Sequence, residues 1–399
     1  MVKEAKKHLE EKIIPFWEKL KDPEFGGFYG FMDYSLNVDK KYVKGCILNS
    51  RILWFFSNAA MVLGRADLKP YADHAYRFMK DHCLDKVNGG IFWSLKYDGT
   101  PEETIKHTYN QAFAIYALSS YFDLTQDREA LDIALGIQKV IEEKCTDEYG
   151  YLEAFDAGFN PIDNDKLSEN GVMAEKTMNT LLHVLEAYTE LLRVLKKYRD
   201  GLFDLSSCEE KTAGYLKKML NTFADKIYNP SLHRQEVFFD KTWHTLIDLH
   251  SYGHDIETAW LVDRCAEILG DPAISEKVAP ITNDLADKIY HRAYVNHSIL
   301  NECERGKDDI KRVWWVQAEA VVSFVNSYQK DRTRTDYLEA ARDIFTYILE
   351  KQTDGRDGSE WFMWTDENGE PIPDAPIVEP WKCPYHNGRM CLELIKRCL

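Results

Sequence analysis

The sequence predicts an all-α protein of the (α/α)6 barrel class, a toroid of six helical hairpins with short β-ribbons at one mouth. Apolar residues recur at helical spacing along nearly all of the 399 residues and mark about twelve helices. Short glycine-aromatic pieces separate these helices into pairs and repeat along the chain. Such self-similarity indicates a repeat architecture, and we expect a single domain over residues 1–399.

The twelve predicted helices are expected to alternate between an outer ring, formed by the odd-numbered ones, and an inner ring, formed by the even-numbered ones. A polar segment at 196–210 predicts a long outer loop, not a domain linker. The predicted bounds are 3–20, 46–64, 68–84, 107–125, 128–144, 174–198, 209–228, 254–269, 273–291, 314–330, 335–351 and 386–397.

The pieces between helices share a glycine followed by alternating aromatic residues. Gly27, Gly90 and Gly150 carry the clearest copies and stand 63 and 60 residues apart, with weaker echoes at 236–240, 298–302 and 359–364. An open solenoid is the alternative to a ring, but the apolar segment at 391–395 offers no polar cap to finish one.

Composition restricts the class of ligand. The formal net charge of −16 argues against nucleic acid or an anionic membrane as partner and favours a neutral or cationic small molecule. Nine cysteines without a C-x-x-C pair indicate a reducing compartment. The charged N-terminus lacks an apolar signal core and no stretch approaches transmembrane length, so we expect a cytoplasmic protein, and a monomer.

Polar residues concentrate at the beginnings of the even helices, whereas the odd helices begin with ordinary solvated charge. Because the inner helices of such a ring run the same way, their N-termini meet at one mouth, which is the predicted site. The residues concerned are Asn49, Ser50, Arg51, His107, Tyr109, Asn110, Asn179, His183, His254, Glu257, Trp315, Glu319, His386 and Asn387.

The segment 250–260 is the best candidate for the reaction centre. His254 and Glu257 share one helical face, and Trp260 continues it a turn later. Gly253 suggests a turn into the helix, which would put His254 near backbone amides that make a neutral imidazole easier to keep. The alternatives are a histidine that only caps the helix and a zinc site formed by His250, His254 and Glu257.

An acidic mouth rich in aromatic residues suits a neutral, hydroxylated ligand such as a sugar. A glycosidase would need two carboxylates, for which Glu257 and Glu319 are available. However, His183, His254 and His386 on three inner helices supply more imidazole than a hydrolase needs.

Histidines in this arrangement suit proton transfer at the carbon next to a sugar aldehyde. Two bases on opposite faces of a planar enediolate invert that carbon, whereas one base that returns the proton to the neighbouring carbon gives an aldose–ketose isomerase. Two imidazoles favour inversion. Arg51 would bind the enediolate oxygens, and neither reaction needs a metal or a nucleotide.

Six longer motifs make the sequence similar to the cellobiose 2-epimerases of the N-acylglucosamine 2-epimerase superfamily. The resemblance extends from Ile14-Pro-Phe-Trp17 to His386-Asn-Gly-Arg-Met390 and departs from the family in the segment 199–208, which is longer than expected. The motifs lie at 50–58, 106–109, 176–179 with His183, 250–257, 312–320 and 380–386.

The resemblance implies an (α/α)6 barrel that converts the reducing-end glucose of β-1,4-linked disaccharides to mannose, cellobiose to glucosyl-mannose and lactose to epilactose, without cofactor or metal. It implies His254 and His386 as the acid–base pair and Arg51 at the enediolate. Glu257 and Glu319 would fix the imidazoles or help ring opening. The remaining implied contacts with sugar are Tyr109, Asn179, His183, Trp260, Trp314, Trp315 and Trp381.

Three rival functions stay open. One is a monosaccharide enzyme of the same superfamily, an N-acylglucosamine 2-epimerase or a mannose isomerase. A second is a metal-dependent hydrolase or isomerase built on His250, His254 and Glu257. The third is a sugar-binding or regulatory protein with an inactive site, which the full set of proton-transfer residues argues against.

Overall fold

The computed structural model describes residues 1–163, 166, 168, 170–199 and 204–397. Over these residues the α-helices are α1 (Val2–His8), α2 (Ile14–Lys19), α3 (Cys46–Leu63), α4 (Lys69–Phe78), α5 (Thr108–Thr125), α6 (Arg128–Lys144), α7 (Met178–Lys197), α8 (Ser206–Thr222), α9 (Tyr252–Leu269), α10 (Pro272–Arg292), α11 (Trp314–Lys330), α12 (Thr335–Tyr347) and α13 (His386–Arg397). The π-helical turn Leu9–Ile13 joins α1 to α2, and similar turns extend α4, α8 and α12 through Met79–Cys83, Phe223–Ile227 and Ile348–Gln352.

Six helices form an inner ring. Each of α3, α5, α7, α9, α11 and α13 contacts the next, and α13 contacts α3, while the remaining helices pack outside them. Helix α3 is buried on every side from Cys46 to Ala60, as its apolar sequence requires, whereas the outer helices bury one face. The predicted (α/α)6 barrel is confirmed, and the ring excludes the open solenoid.

Short antiparallel strands lie between the hairpins. They are β1 (Lys44–Gly45), β2 (Ser94–Leu95), β3 (Pro101–Glu103), β4 (Lys106–His107), β5 (Ala154–Phe155), β6 (Lys176–Thr177), β7 (Tyr228–Asn229), β8 (Arg234–Gln235), β9 (Phe238–Phe239), β10 (Leu249–Ser251), β11 (Tyr294–Val295), β12 (Ser298–Ile299), β13 (Glu302–Glu304), β14 (Lys307–Asp309), β15 (Arg312–Val313) and β16 (Trp364–Thr365).

The ribbons connect neighbouring hairpins around the mouth of the ring. The strands directly before α3, α5, α7, α9 and α11 are β1, β4, β6, β10 and β15, and each pairs with a strand that precedes the next inner helix: β2, β5, β9, β13 and β16. A bridge between Met32 and Val378 completes the circuit. The N-termini of the inner helices therefore meet at one edge, as the sequence predicts.

Two of the three repeated glycines, Gly27 and Gly90, make close contacts with inner helices. Gly27 and Gly90 have φ of 64° and 68°, and a Cβ there would lie 2.7 Å from Asn49 Oδ1 and 2.5 Å from Gln111 Oε1. Those two oxygens accept hydrogen bonds from the backbone N–H of Phe28 and Ile91 at 3.1 and 2.7 Å. Asn49, a candidate for the mouth, is therefore a structural residue that ties a loop to α3.

Buried lysines fix the same loops. Lys44 Nζ donates to Asp22 Oδ2 at 2.5 Å, and Lys106 Nζ donates to Asp85 Oδ2 at 2.8 Å. Lys176 repeats the contact in the third hairpin. Each pair joins the strand before an inner helix to the turn after the preceding outer helix. Buried ion pairs of this kind fix the geometry of the loops more than they stabilise the fold, because both charged groups lose hydration.

Two details differ from the sequence-based expectation. The polar loop at 196–210 is shorter, because α7 extends to Lys197 and α8 begins at Ser206; positions 200–203 lie outside the described residues. Helix Cys46–Leu63 is also long and apolar enough to span a membrane, with a mean hydropathy of 1.3, contrary to the expectation that no stretch approaches that length. In the fold, 83% of it is buried as an inner helix.

Candidate active site

A cavity of about 570 Å³ opens at the ribbon end of the ring. Inner helices form its floor and ribbon loops form its walls, so most of the residues predicted for the site come together here. The predicted residues that line it are Arg51, Tyr109, Asn179, His183, His254, Glu257, Trp314, Trp315, Trp381 and His386.

His254 lies in the first turn of α9. Its Nδ1 is 2.7 Å from Ser251 Oγ, and its ring centroid lies 4.8 Å from that of Trp315. Burial, and then the neighbouring His183, lower the pKa of His254 to about 3. The imidazole is therefore neutral at physiological pH, as a general base must be. Ser251 also lines the cavity and was not among the predicted residues.

His386 is the first residue of α13. Its Nδ1 is 2.7 Å from Glu319 Oε1 and its ring lies 5.4 Å from that of Trp315. Because a carboxylate only accepts, Nδ1 carries the proton and Nε2 keeps a free lone pair. Burial, and then the charge of Arg389, hold the pKa of His386 well below its usual range. Trp315 thus contacts imidazoles from two inner helices.

Arg51 projects from α3 towards the cavity. Its Nη2 donates to Tyr109 Oη at 2.6 Å and its Nη1 donates to the Trp381 carbonyl at 3.2 Å. The rings of Phe113 and Tyr385 lie 4.1 and 4.6 Å from its Cζ. These contacts hold a permanent cation in one place. Burial raises the pKa of Tyr109 to about 12, so its hydroxyl stays protonated.

His183 and Glu257 lie on the floor of the cavity. His183 Nδ1 donates to Glu186 Oε2 at 2.9 Å, and burial lowers the pKa of His183. Burial, and then the charge of Glu319, raise the pKa of Glu257 above its usual range. Glu319 lies behind His386 and is fully buried, so it reaches the cavity only through that imidazole.

Tryptophan side chains form much of the cavity wall, as expected. Trp314, Trp315 and Trp381 line it, together with Trp364, which was not predicted. Trp260, in contrast, does not reach the cavity: it is 1% exposed, and its Nε1 donates to Glu319 Oε2 at 2.9 Å. Trp260 therefore positions the Glu319 carboxylate, which in turn bonds His386. The predicted contact of Trp260 with sugar is wrong.

The predicted position of Gly253, in a turn before the helix, is also wrong. Helix α9 begins at Tyr252, so Gly253 lies inside the helix and not in a turn before it. A Cβ at this position would lie 2.4 Å from Trp315 Cη2 and 2.6 Å from Val316 Cγ2. Glycine is required here because α9 and α11 approach closely beside His254.

The zinc site considered from the sequence is not assembled. His250 Nε2 pairs with Asp255 Oδ2 at 2.8 Å, away from His254. Among the described residues, Glu257, Glu319 and His386 instead bring ligand atoms within 4.8 Å of one another. Arg389 bonds both of those carboxylates, so a guanidinium already neutralises this group.

Several buried polar atoms around the cavity have no hydrogen-bond partner within the described part of the chain. They are Arg51 Nε, Asn179 Oδ1, Glu257 Oε2 and Trp314 Nε1. Unpaired buried donors and acceptors are unfavourable unless a ligand or water satisfies them. A ligand with several hydroxyl groups can both donate and accept, so it fits this set.

Comparison with known proteins identifies the family. A model of the family described as N-acylglucosamine 2-epimerase (GlcNAc 2-epimerase) matches residues 26–387. The chain belongs to the N-acylglucosamine 2-epimerase family. The cellobiose 2-epimerase of Eubacterium cellulosolvens is 52% identical over 98% of this chain and 97% of its own length. That of Ruminococcus albus is 46% identical over 100% and 99%.

Solved structures agree with this assignment. A sugar epimerase from a ruminal bacterium superposes with a TM-score of 0.95 at 45% identity, covering 100% of this chain and 99% of its own. Cellobiose 2-epimerase from Bacillus thermoamylovorans gives 0.92 at 41% identity, covering 99% of each chain. A D-mannose isomerase, 19% identical with a TM-score of 0.84, shares the fold. The protein is accordingly a carbohydrate epimerase, an isomerase.

Proposed function

We propose that this epimerase inverts C2 of the reducing-end glucose of β-1,4-linked disaccharides, converting cellobiose to glucosyl-mannose and lactose to epilactose. The observation that carries the proposal is the pair of imidazoles, His254 and His386, which lie on different inner helices, line one cavity and both contact Trp315. The names of the relatives that are 43–52% identical support cellobiose as substrate.

The proposed reaction begins with the open-chain aldose. One imidazole removes the C2 proton. The other takes a proton from water and delivers it to the opposite face of the planar enediolate, after which the first imidazole gives the removed proton to water. Both imidazoles are neutral in the free protein, which suits the first step. As negative charge forms on the enediolate, it restores the proton affinity of the imidazole that acts as acid.

Negative charge on the enediolate oxygens needs a fixed cation. Arg51 supplies it, because its guanidinium is held by Tyr109 and by the Trp381 carbonyl and cannot lose its proton. Asn179 Oδ1 and Glu257 Oε2 would accept hydrogen bonds from sugar hydroxyls. The faces of Trp314, Trp315 and Trp381 would cover the C–H surfaces of the sugar.

Deuterium incorporation tests the proposal. Incubation with cellobiose in deuterated water should give glucosyl-mannose that carries deuterium at C2. His254→Asn and His386→Asn should each lower turnover by roughly 10²- to 10⁴-fold, the usual contribution of general acid–base catalysis. His244→Asn, at a loop position 81% exposed, is the matched control. Labelling without inversion, or full activity in either cavity variant, would refute the two-imidazole mechanism.

Substrate choice needs a separate comparison. We expect cellobiose and lactose to react faster than glucose, mannose or N-acetylglucosamine under the same conditions. Faster turnover of a monosaccharide would instead assign the chain to the monosaccharide enzymes of the family. A chelator should leave the rate unchanged, since no step of the proposed mechanism uses a metal.

A further inference from the structure

Three glutamates from three inner helices meet below the cavity. Glu186 of α7, Glu257 of α9 and Glu319 of α11 are 4%, 1% and 0% exposed. Three carboxylates out of water repel one another and lose hydration, so a cation must compensate them. The sequence predicted roles for Glu257 and Glu319 but not for Glu186 or for the residue that binds all three.

That residue is Arg389, on the last inner helix. Its Nη1 bonds Glu186 Oε1, and its Nη2 bonds Glu257 Oε1 and lies 2.7 Å from Glu319 Oε1. The guanidinium packs between Tyr385 and Trp260, whose ring centroids lie 4.2 and 5.0 Å from its Cζ. Four helices therefore fix its position. Arg389 stands three residues after His386, one helical turn away, which is the signal that the sequence offered for it.

Both ends of this carboxylate cluster lead to an imidazole of the cavity. Glu319 Oε1, which contacts Arg389, is also 2.7 Å from His386 Nδ1. Glu186 bonds Arg389 through Oε1 and His183 Nδ1 through Oε2, the latter at 2.9 Å. Arg389 is not among the described residues that line the cavity. It therefore acts on a bound sugar only through these carboxylates.

We propose that Arg389 is a positioning residue of the epimerisation, which orients His386 through Glu319 and His183 through Glu186 with one guanidinium. The inference rests on the proposed function. A fork of N–H donors is what lets one side chain bind several carboxylates at fixed angles, which a lysine ammonium cannot reproduce. The positive charge of Arg389, which is linked to the His386 ring through Glu319, also opposes protonation of that ring.

Two substitutions separate geometry from charge. Arg389→Lys keeps the charge but loses the fork, so kcat should fall about 10- to 100-fold with little change in KM, while the acidic limb of the kcat/KM profile stays in place. Arg389→Met removes the charge as well. The acidic limb should then move to higher pH by about one to two units, because His386 gains a proton more easily.

Arg264→Met is the matched control. Arg264, like Arg389, lies on an inner helix, here α9, and it bonds Glu190 Oε2 at 3.3 Å and Glu393 Oε1 at 3.2 Å. It follows His254 by ten residues, so it lies about 15 Å further along the helix. This variant should lower Tm without moving the acidic limb. An Arg389→Lys enzyme with wild-type kcat, or a folded Arg389→Met enzyme with an unmoved limb, would overturn the inference.

Histidine NMR gives a readout that does not require turnover. The imidazole resonance of His386, assigned by its loss in His386→Gln, should titrate at higher pH in Arg389→Met than in the wild type. If wild-type protein does not epimerise cellobiose, the proposed function fails, and this titration still tests the role of Arg389. If Arg389→Met does not fold, Arg389→Lys decides the question: an unchanged kcat refutes the inference and a reduced one supports it.

Discussion

Replacing Gly253 by alanine should reduce activity although it adds a better helix former. The added methyl carbon would lie 2.4 Å from Trp315 Cη2, whereas ordinary contacts begin at 3.4 Å, so the indole must move by about 1 Å. Trp315 contacts both His254 and His386. A displacement of about 1 Å at a reacting centre can lower the rate about 100-fold, and we expect kcat to fall by that order.

The stability of Gly253→Ala should change much less than its activity. Overpacking costs roughly 1–3 kcal/mol, and the better helix propensity of alanine returns about 1 kcal/mol. Thermal unfolding should therefore show a small decrease in Tm. The matched control is Gly136→Ala, in the outer helix α6, where an added Cβ meets nothing within 4 Å. Gly136→Ala should raise the stability of the fold slightly and leave kcat unchanged.

The assay is the initial rate of cellobiose epimerisation for both variants, with Tm measured by circular dichroism on the same preparations. A Gly253→Ala enzyme with wild-type kcat would refute the argument that the close approach of α9 and α11 holds Trp315 against the two imidazoles. A loss of activity accompanied by an equal loss of folded protein would contradict it as well, since the effect would then be one of stability.

Three further outcomes are expected. Ser251→Ala should lower kcat/KM about 5-fold, because His254 Nδ1 loses a hydrogen bond worth roughly 1 kcal/mol. Burial lowers the pKa of His107 to about 3, so as the pH falls the imidazole of the unfolded chain is protonated before that of the folded chain. The stability of the fold should therefore decrease as the pH drops from about 6.5 towards 3. His107→Gln should flatten this dependence of Tm on pH. Lys106→Met should cost about 3–5 kcal/mol by leaving the buried Asp85 carboxylate without its cation, and Asp85→Asn in the same chain should restore part of that loss in denaturant unfolding.

Each of these three variants has a control variant at another position, either on the surface or in the core. Ser57→Ala removes a buried hydroxyl that has no partner among the described residues and should leave kcat/KM unchanged. His244→Gln, at an exposed position, should keep the wild-type slope of Tm against pH. Lys139→Met removes a pair that is 72% exposed on the lysine side and should change stability by less than about 1 kcal/mol. Equal effects in test and control would contradict the stated causes.

The ring could be predicted because its signals are local. Helical periodicity gave the bounds of most helices within a few residues, as for α6, predicted and observed at 128–144. The repeated glycines marked the hairpins because Gly27 and Gly90 must each approach an inner helix closely. The starts of α7 and α8 were less well placed, at 174 and 209 where the structure has Met178 and Ser206, since loop lengths and first turns depend on tertiary contacts.

The site was predictable only to the first layer of side chains. Residues at the beginnings of inner helices had to meet once the ring closed, so His254, His386 and Arg51 could be named from position alone. Arg389 and Trp260 were missed or misassigned because their partners are far away in sequence, as in the pair Arg389 and Glu257, 132 residues apart. No local pattern distinguishes a tryptophan facing sugar from one that holds a carboxylate.

The first helical segments of the chain complete their packing only with the last ones. Helix α1 contacts α13, Trp17 Nε1 donates to Glu360 Oε1 at 2.7 Å across 343 residues, and Trp361 Nε1 donates to His8 Nε2 at 2.7 Å. During synthesis the N-terminal segments must therefore wait until the final hairpin has emerged, and contacts of such long sequence separation form slowly. Because His386 begins α13, which follows the other five inner helices in chain order, a nascent chain that has not yet reached this helix lacks one of the two imidazoles of the cavity.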